Sequence, residues 1–148
     1  IKKCESFFHE EPFLVMNSDI LMDIDLKELM NFHEKQNYLA TMVVRPHPQA
    51  SNPGSLTPIW VKDSQVLSIG GDSQKGEAFM FTGLHILDPK ILKTVPENTF
   101  SSIIDTGYQP ALKTGQHITA FNYTDFWMDL GTQEQYQQAN KDLCSGKK

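Results

Sequence analysis

The chain has 148 residues, 39% of them hydrophobic and 21% charged, and its 13 basic and 18 acidic residues give a formal net charge of −5. This composition predicts a globular domain with its own core. It excludes a basic surface that follows phosphates, and no apolar run approaches the roughly 18 residues of a membrane span, so neither nucleic acid nor membrane is an expected partner. The two cysteines, Cys4 and Cys144, form no Cys-x-x-Cys pair, which favours a reducing cytoplasm.

The first strong signal in chain order is a short apolar run that ends in a carboxylate. Residues 1–11 have the pattern of the end of a helix, and Phe13 to Met16 are four consecutive apolar residues. Such a run predicts a buried strand. The polar sequence Asn17-Ser18-Asp19 follows it and places Asp19 at the rim of the predicted sheet, where open α/β sheets bind ligands.

A helix and a second strand follow. Residues 20–22 form a short apolar link, and Asp25-Leu26-Lys27-Glu28 has the pattern of a capping box at the start of a helix over 26–36. Residues 39–45 are again apolar and predict a buried strand. Strand, helix and strand in this order predict a βαβ unit with parallel strands. We therefore expect an α/β fold with a Rossmann-like, mostly parallel but mixed sheet flanked by helices.

The middle of the chain predicts loops and a hairpin. Residues 46–58 are rich in proline and are either a mobile lid or a surface connection. A β-hairpin is predicted over 59–62 and 66–69. Residues 70–77 are Gly-rich, but they lack the Gly-Lys-Ser/Thr of a phosphate-binding loop, so a flexible turn is the favoured interpretation.

The second half of the chain opens with a long strand over 78–87 that Gly83 interrupts. A glycine within a strand predicts a bulge or the close approach of another group. The remaining predicted elements are a short helix from Pro89, helical pieces over 100–108 and 110–114, strands over 117–122 and 126–131, and a capped helix over 132–143.

Two strands thus end in an aspartate followed by a turn, at Asp19 and at Asp129. Two carboxylates with phosphate oxygens and water are a ligand set that Mg²⁺ prefers. The pattern alone is also that of ordinary turn formers. A rival pair is Asp23-x-Asp25, which has the form of a glycosyltransferase metal site, although Asp25 is well explained as a helix cap.

Nothing in the sequence indicates covalent catalysis. The five histidines, at positions 9, 33, 47, 85 and 117, share no ligand spacing. His33 and His85 lie in apolar contexts and are expected to be packed side chains. No Ser-His-Asp or Cys-His arrangement is present.

Several of these segments together resemble the sugar-nucleotide nucleotidyltransferases, also called nucleoside-diphosphate-sugar pyrophosphorylases. The resemblance runs from about Phe7 to Asn140. The branch of the family that the chain resembles most acts on N-acetylmuramate 1-phosphate or mannose 1-phosphate. Its most specific piece is Trp127-Met128-Asp129-Leu130-Gly131-Thr132. The other matching pieces are Phe13-Leu14-Val15-Met16-Asn17-Ser18-Asp19, Asp23-Ile24-Asp25-Leu26, and Phe81-Thr82-Gly83-Leu84-His85-Ile86-Leu87.

The resemblance implies that a sugar 1-phosphate attacks the α-phosphate of a nucleoside triphosphate, with Mg²⁺, and releases pyrophosphate. It implies catalytic and metal-binding roles for Asp19 and Asp129. Thr82 and Gly83 match the strand that lines the sugar pocket of the family. Asn17 and Trp127 are further substrate-binding candidates. Catalysis of this type depends on positioning and charge neutralisation rather than on covalent chemistry.

The sequence also departs from the family pattern. The family's Gly-x-Gly-Thr-Arg loop, which binds the triphosphate, does not occur here, and Ser18 replaces the usual glycine before the first aspartate. We therefore expect the 148 residues to be the C-terminal part of a single nucleotidyltransferase domain, preceded by roughly 90 residues, and to be inactive alone. The alternatives are a non-catalytic module that binds sugar nucleotides and a metal-dependent glycosyltransferase that uses Asp23 and Asp25.

Overall fold

The computed structural model describes residues 1–36, 38–48, 56–71 and 76–146. The helices are α1 (Leu26–Gln36), α2 (Gln109–Lys113) and α3 (Gln133–Cys144), with 3₁₀ turns at Lys2–Phe7 and Pro89–Thr94 and a π-helical turn at Ile104–Tyr108. The strands are β1 (Phe13–Met16), β2 (Ile20–Met22), β3 (Ala40–Pro46), β4 (Ile59–Lys62), β5 (Gln65–Ile69), β6 (Glu77–Leu87), β7 (Ile118–Asn122) and β8 (Trp127–Asp129).

Six strands form the main sheet in the order β1-β6-β3-β7-β5-β4, and β4 also pairs with β6. The predicted α/β class with a mixed sheet is confirmed. The predicted predominance of parallel pairing is wrong for the described strands, because β3 with β7 is a parallel pair and the other pairs are antiparallel. The strands β1 and β3 do run in the same direction, as a βαβ unit requires, but β6 lies between them.

A bulge interrupts β6 at Gly83, as the sequence predicts. Met42 of β3 lies opposite His85 but Val44 lies opposite Phe81, so β6 carries extra residues between these two pairs. Gly83 has φ +89°, a left-handed conformation that glycine adopts without strain. The Thr82 hydroxyl donates to the Val43 carbonyl at 2.8 Å and satisfies part of the interrupted backbone pairing.

The hydrophobic core lies on both faces of this sheet. Because side chains alternate along a strand, Met42 and Val44 enter one cluster while Val43 enters the other. The second cluster includes Leu29 of α1, which is fully buried since α1 packs its apolar face on the sheet. The apolar periodicity of residues 26–36 therefore predicts this contact correctly.

Two buried histidines accept or donate hydrogen bonds within the core, which confirms that they are packed side chains. His33 Nδ1 lies 2.8 Å from the Thr41 hydroxyl, and His85 Nδ1 is bonded to the Tyr108 hydroxyl. Burial lowers the pKa of His85 to about 4 and lowers the pKa of His33. Burial raises the pKa of Tyr108 well above its usual value, so all three side chains are neutral near pH 7.

Some boundaries differ from those that the sequence predicts. Residues 20–22 are not a link but the strand β2, and residues 100–102 are not helical. Parts of the predicted loops, 49–55 and 72–75, lie outside the described residues. Cys4 and Cys144 are exposed free thiols. Among the described helices, none is long and apolar enough to cross a membrane.

Candidate metal and substrate site

A small ribbon of two strands, separate from the main sheet, holds both predicted metal ligands. In this ribbon β2 and β8 are antiparallel, and Ile20 is paired with Asp129. The Leu130 N–H donates to the Asp19 carbonyl at 2.7 Å and extends the ribbon by one step. The pairing therefore brings Asp19 and Asp129 together from opposite ends of the chain.

The two carboxylates face one small volume beside Gly131. Asp129 Oδ1 accepts a hydrogen bond from the Gly131 N–H at 2.7 Å. A Cβ atom built on Gly131 would lie 3.0 Å from Asp129 Oδ1 and 3.9 Å from Asp19 Oδ2. Glycine at this position thus leaves open the space that the two carboxylate oxygens share.

This pair of carboxylates fits a hard divalent cation that retains other ligands. Mg²⁺ in proteins is typically bound by one or two carboxylates, with water and substrate phosphates completing six oxygen ligands. The described residues contain no group of three or more His, Cys, Asp or Glu side chains arranged to hold a metal. The donor set therefore fits Mg²⁺ shared with a phosphate and does not fit a closed protein cage.

The predicted substrate residues form the junction between the ribbon and the main sheet. The Asn17 N–H donates to the Gly83 carbonyl at 2.9 Å, and a Cβ on Gly83 would lie 2.9 Å from Asn17 Nδ2. On the other side, Trp127 Nε1 donates to the Thr82 carbonyl at 3.0 Å. Because the Thr82 side chain is 1% exposed and bonded to the Val43 carbonyl, Thr82 can contribute to a site only through its backbone.

The rival candidates for a metal site, Asp23 and Asp25, make other contacts in this fold. Asp25 Oδ1 accepts hydrogen bonds from the N–H groups of Lys27 and Glu28, at 2.8 and 3.2 Å, and so caps α1. The Asp23 carbonyl accepts a hydrogen bond from the Tyr123 hydroxyl at 2.7 Å. This geometry favours the helix-cap interpretation of Asp25 over a metal ligand.

A cavity of about 390 Å³ lies along the middle of β6. Its apolar wall includes Met80 and Phe81, and its polar lining includes Thr57, Asp105 and Gln109. The volume and the mixed lining suit a small polar ligand. Asp105 and Gln109 were not among the predicted site residues, and Gln109 falls between the predicted helical pieces over 100–108 and 110–114, although a spacing of four residues would place both on one face of a continuous helix.

A second cavity, of about 520 Å³, lies at the other end of β6. It is lined by Gly76 and Glu77, at the start of the strand, and by the hairpin residues Lys62 and Asp63. Asn17, two residues before Asp19, lies in contrast beside Gly83. Along β6 the smaller cavity, which Met80 and Phe81 line, is therefore the nearer of the two to the junction at Gly83.

The mixed sheet with its separate ribbon of two carboxylates is an α/β fold, and comparison with known proteins gives its family. The model of the nucleotidyl transferase family matches residues 1–146, so the chain belongs to that family.

Among curated relatives, a mannose-1-phosphate guanyltransferase of Aspergillus fumigatus is 30% identical over 82% of this chain and 33% of its own length. A UTP–glucose-1-phosphate uridylyltransferase of Synechocystis sp. is 23% identical over 98% of this chain and 39% of its own length. The chain thus spans little more than a third of the curated relatives that it matches.

Solved structures share the fold. A UTP-bound UGPase from Acinetobacter baumannii superimposes with a TM-score of 0.77 at 13% identity, covering 96% of this chain and 54% of that one. A putative glucose-1-phosphate thymidylyltransferase from Bacillus anthracis, in complex with a sucrose, has a TM-score of 0.74 at 19% identity, covering 95% and 57%. At these low sequence identities, the structural similarity supports only the shared Rossmann-like core and no functional role.

Proposed function

We propose that this chain provides the metal site and the sugar-phosphate side of a nucleotidyltransferase that joins a sugar 1-phosphate to a nucleoside triphosphate. The observation that carries the proposal is the β2–β8 ribbon, which brings Asp19 and Asp129 to one shared volume. Membership of the nucleotidyl transferase family supports it. The relatives that act on mannose 1-phosphate or glucose 1-phosphate, as their names state, support a sugar 1-phosphate as the acceptor.

In the proposed reaction a phosphate oxygen of the sugar 1-phosphate forms a bond to the α-phosphorus of the triphosphate. The bond from that phosphorus to the bridging oxygen of the β-phosphate breaks, and pyrophosphate leaves with the electron pair. Mg²⁺ neutralises phosphate charge when it is bound. Asp19 and Asp129 would hold the metal, since both carboxylates lie beside one volume at the ribbon. Mg²⁺ needs no third ligand from the protein when water and phosphate complete its coordination.

The cavity beside β6 is the proposed site for the sugar. Asp105 and Gln109 can accept and donate hydrogen bonds to sugar hydroxyls, while Phe81 provides an apolar wall for a ring face. The neighbouring Thr82 carbonyl is fixed by Trp127, and the Gly83 carbonyl is fixed by Asn17. These contacts fix β6, which contributes Met80 and Phe81 to the cavity, against the segments that carry Asp19 and Asp129, as a reaction that depends on positioning requires.

The proposal assigns triphosphate binding to residues other than these 148, because the Gly-x-Gly-Thr-Arg loop of the resembling family does not occur among them. We also propose that the protein works in the cytoplasm, where two exposed free thiols such as Cys4 and Cys144 persist. A single nucleotidyltransferase domain that includes residues 1–148 remains our proposal for the domain organisation.

The test is pyrophosphate release with Mg²⁺ by the full-length protein that contains these 148 residues, measured over a panel of nucleoside triphosphates and sugar 1-phosphates, whereas the 148 residues alone are expected to release none. We expect release that requires one sugar 1-phosphate, stops when the metal is chelated, and is lost in Asp129→Asn. Binding of nucleotide and sugar phosphate without any release would instead support a non-catalytic binding module. Release that persists in Asp129→Asn would remove that residue from the metal site.

A further inference from the structure

The β2–β8 ribbon depends on contacts with the main sheet for its position. Each of its strands has three residues, and a two-stranded ribbon of this length has little stability of its own. On the Asp19 side the chain continues directly from β1, and Asn17 is bonded to Gly83. On the Asp129 side the attachment depends on β8 itself and on the connection that precedes it.

Arg45 provides an attachment on that side. It lies near the end of β3 and is partly buried. Its guanidinium carbon lies 5.9 Å from the centre of the Trp127 ring, a distance at which a cation is attracted to the ring face. The guanidinium also donates a hydrogen bond to the Asp125 carbonyl, in the connection between β7 and β8. One side chain of the main sheet thus contacts the ribbon and its connection together.

Trp127 links the Arg45 contact to the Asp129 carboxylate. Its indole N–H is bonded to the Thr82 carbonyl, so the ring is held between β6 and Arg45. Residues two apart on a strand lie on the same face, which places Trp127 and Asp129 on one face of β8. A shift of the Trp127 ring would therefore move Asp129 relative to Asp19.

We propose that Arg45 is a positioning residue that sets the separation of the two metal-binding carboxylates by holding Trp127 and the β7–β8 connection against β3. This inference rests on the proposed function, because it concerns the same metal site. It assigns Arg45 no contact with substrate. It predicts that removing the guanidinium weakens binding of a divalent cation even though a positive charge has been removed from the neighbourhood.

The direction of the change in cation affinity separates a positioning role of Arg45 from a purely electrostatic one. If Arg45 acted only as a nearby positive charge, its removal would strengthen cation binding, since like charges repel. If Arg45 served only the stability of the fold, its removal would lower the melting temperature and leave cation affinity unchanged at temperatures where the protein is folded. A loss of affinity in the folded protein is the result that positioning alone predicts.

The experiment is a titration of the protein with Mn²⁺, a hard cation with the oxygen ligands of Mg²⁺, followed by the electron paramagnetic resonance signal of the free ion. We expect Arg45→Met to raise the Mn²⁺ dissociation constant about 10-fold, the low end of the roughly 10- to 100-fold loss that follows when a neighbour that orients a metal ligand is removed. Arg45→Lys should fall between Arg45→Met and the wild type, because it keeps the charge and loses the planar fork. Lys62→Met, an exposed cation on β4, is the matched control and should not weaken binding.

The possible outcomes distinguish a failure of the inference about Arg45 from a failure of the proposed metal site. Wild-type binding that is lost in Asp129→Asn but unchanged or tighter in Arg45→Met would overturn the role of Arg45 and leave the metal site standing. Failure of the wild type to bind Mn²⁺, or equal binding by Asp129→Asn, would overturn the metal site and the inference with it. Circular dichroism at the titration temperature confirms that each variant is folded.

Discussion

The main sheet and the β2–β8 ribbon differ sharply in how they are held. On the sheet, Val43, Leu84 and Ile86 are completely buried. On the ribbon, the three residues of β8 are each half-buried, and Asp19, just before β2, is exposed. Ile20 of β2 is buried in the core, but the carboxylates that we assign to chemistry lie at positions of the ribbon that are exposed or half-buried.

This difference has an energetic basis. Fully burying one Leu or Ile side chain contributes roughly 1.5–3 kcal/mol, so the sheet stabilises the fold through many such residues. An exposed or half-buried carboxylate contributes little to folding, and an amide in place of Asp129 can still accept from the Gly131 N–H, so such a replacement is expected to change stability little. Replacing a carboxylate of the ribbon should therefore alter activity at nearly constant stability, and truncating a buried side chain of the sheet should lower stability.

The largest expected effect is that of Asp129→Asn on the ribbon. The amide keeps the size of the side chain and can still accept from the Gly131 N–H, but it lacks the charge that holds a divalent cation. We expect kcat to fall about 10²–10³-fold, the range seen when one electrostatic contribution to a transition state is removed. Initial rates of pyrophosphate release with the preferred substrates measure this effect.

Its control is Asp142→Asn, an equal change of charge in the last turns of α3, which should leave kcat unchanged. The melting temperatures of both variants should agree with that of the wild type to within about 2 °C, since surface substitutions usually stay within roughly 0.5 kcal/mol. A large loss of stability in Asp129→Asn would contradict the separation of ribbon and sheet.

Gly83→Ala tests the junction between the two regions. A Cβ at this position would lie 2.9 Å from Asn17 Nδ2, and the backbone has φ +89°. The left-handed conformation costs an alanine about 1–2 kcal/mol, and the displacement of Asn17 adds to it, so we expect the free energy of unfolding to fall by about 2–3 kcal/mol. The moved Asn17 should also lower kcat/KM by roughly 10- to 100-fold.

Gly115→Ala is the matched control for the free-energy cost of placing alanine in a left-handed backbone conformation. Gly115 has φ +75°, and a Cβ there would meet nothing within 4 Å. It should cost about 1–2 kcal/mol in urea unfolding and leave kcat/KM unchanged. If the two variants lose the same stability and both keep full activity, the contact between Gly83 and Asn17 has no role in the site.

The buried histidine of the sheet predicts that the stability of the fold depends on pH. Burial lowers the pKa of His85 from 6.5 to about 4 in the folded state. Between these values the unfolded chain binds a proton that the folded chain does not, so the free energy of unfolding falls as the pH falls, and the change is complete near pH 4. From pH 7 to pH 5 we expect a loss of about 2 kcal/mol from His85, and His33, whose pKa burial also lowers, acts in the same direction.

Urea unfolding at pH 7, 6 and 5 measures this loss, and His85→Leu should make the profile flatter. Should that variant fail to fold, the titration of the His85 ring protons by NMR in the wild type gives the pKa directly. A value near 6.5 would show that the side chain is not shielded from water. Either way, the rate of the catalysed reaction should not follow His85, since the residue lies in the core.

The sequence predicts the parts of this fold whose signals are local. The apolar run before Asn17, the periodicity of α1, the hairpin and Gly83 all depend on neighbouring residues, and the structure contains each of them. Strand order has no such signal, so the position of β6 between β1 and β3 could not be predicted from the periods of the separate strands.

The candidate site shows the same division. The apolar runs before Asp19 and Asp129 predict both as candidates, and the structure brings the two carboxylates together, while their role as metal ligands stays a prediction. The strand that pairs them was missed, since the three residues of β2 are too few to show a period and its partner lies near the other end of the chain. Arg45 and Asp105 were missed because their relation to the site depends on tertiary contacts.

The smallest expected effect comes from Thr132, which joins the ribbon to α3. Its hydroxyl accepts from the Gln135 N–H at 3.2 Å, and the Gln135 side chain accepts from the Thr132 N–H at 2.9 Å, which completes the capping box that the sequence predicts. Thr132→Ala removes one of these bonds and should cost about 1 kcal/mol in urea unfolding. Thr132→Ser keeps the hydroxyl and should stay close to the wild type. Because the cap begins one residue after Gly131, a loss of Mn²⁺ affinity in Thr132→Ala larger than in Thr132→Ser would show that α3, as well as the sheet, determines where Asp129 lies.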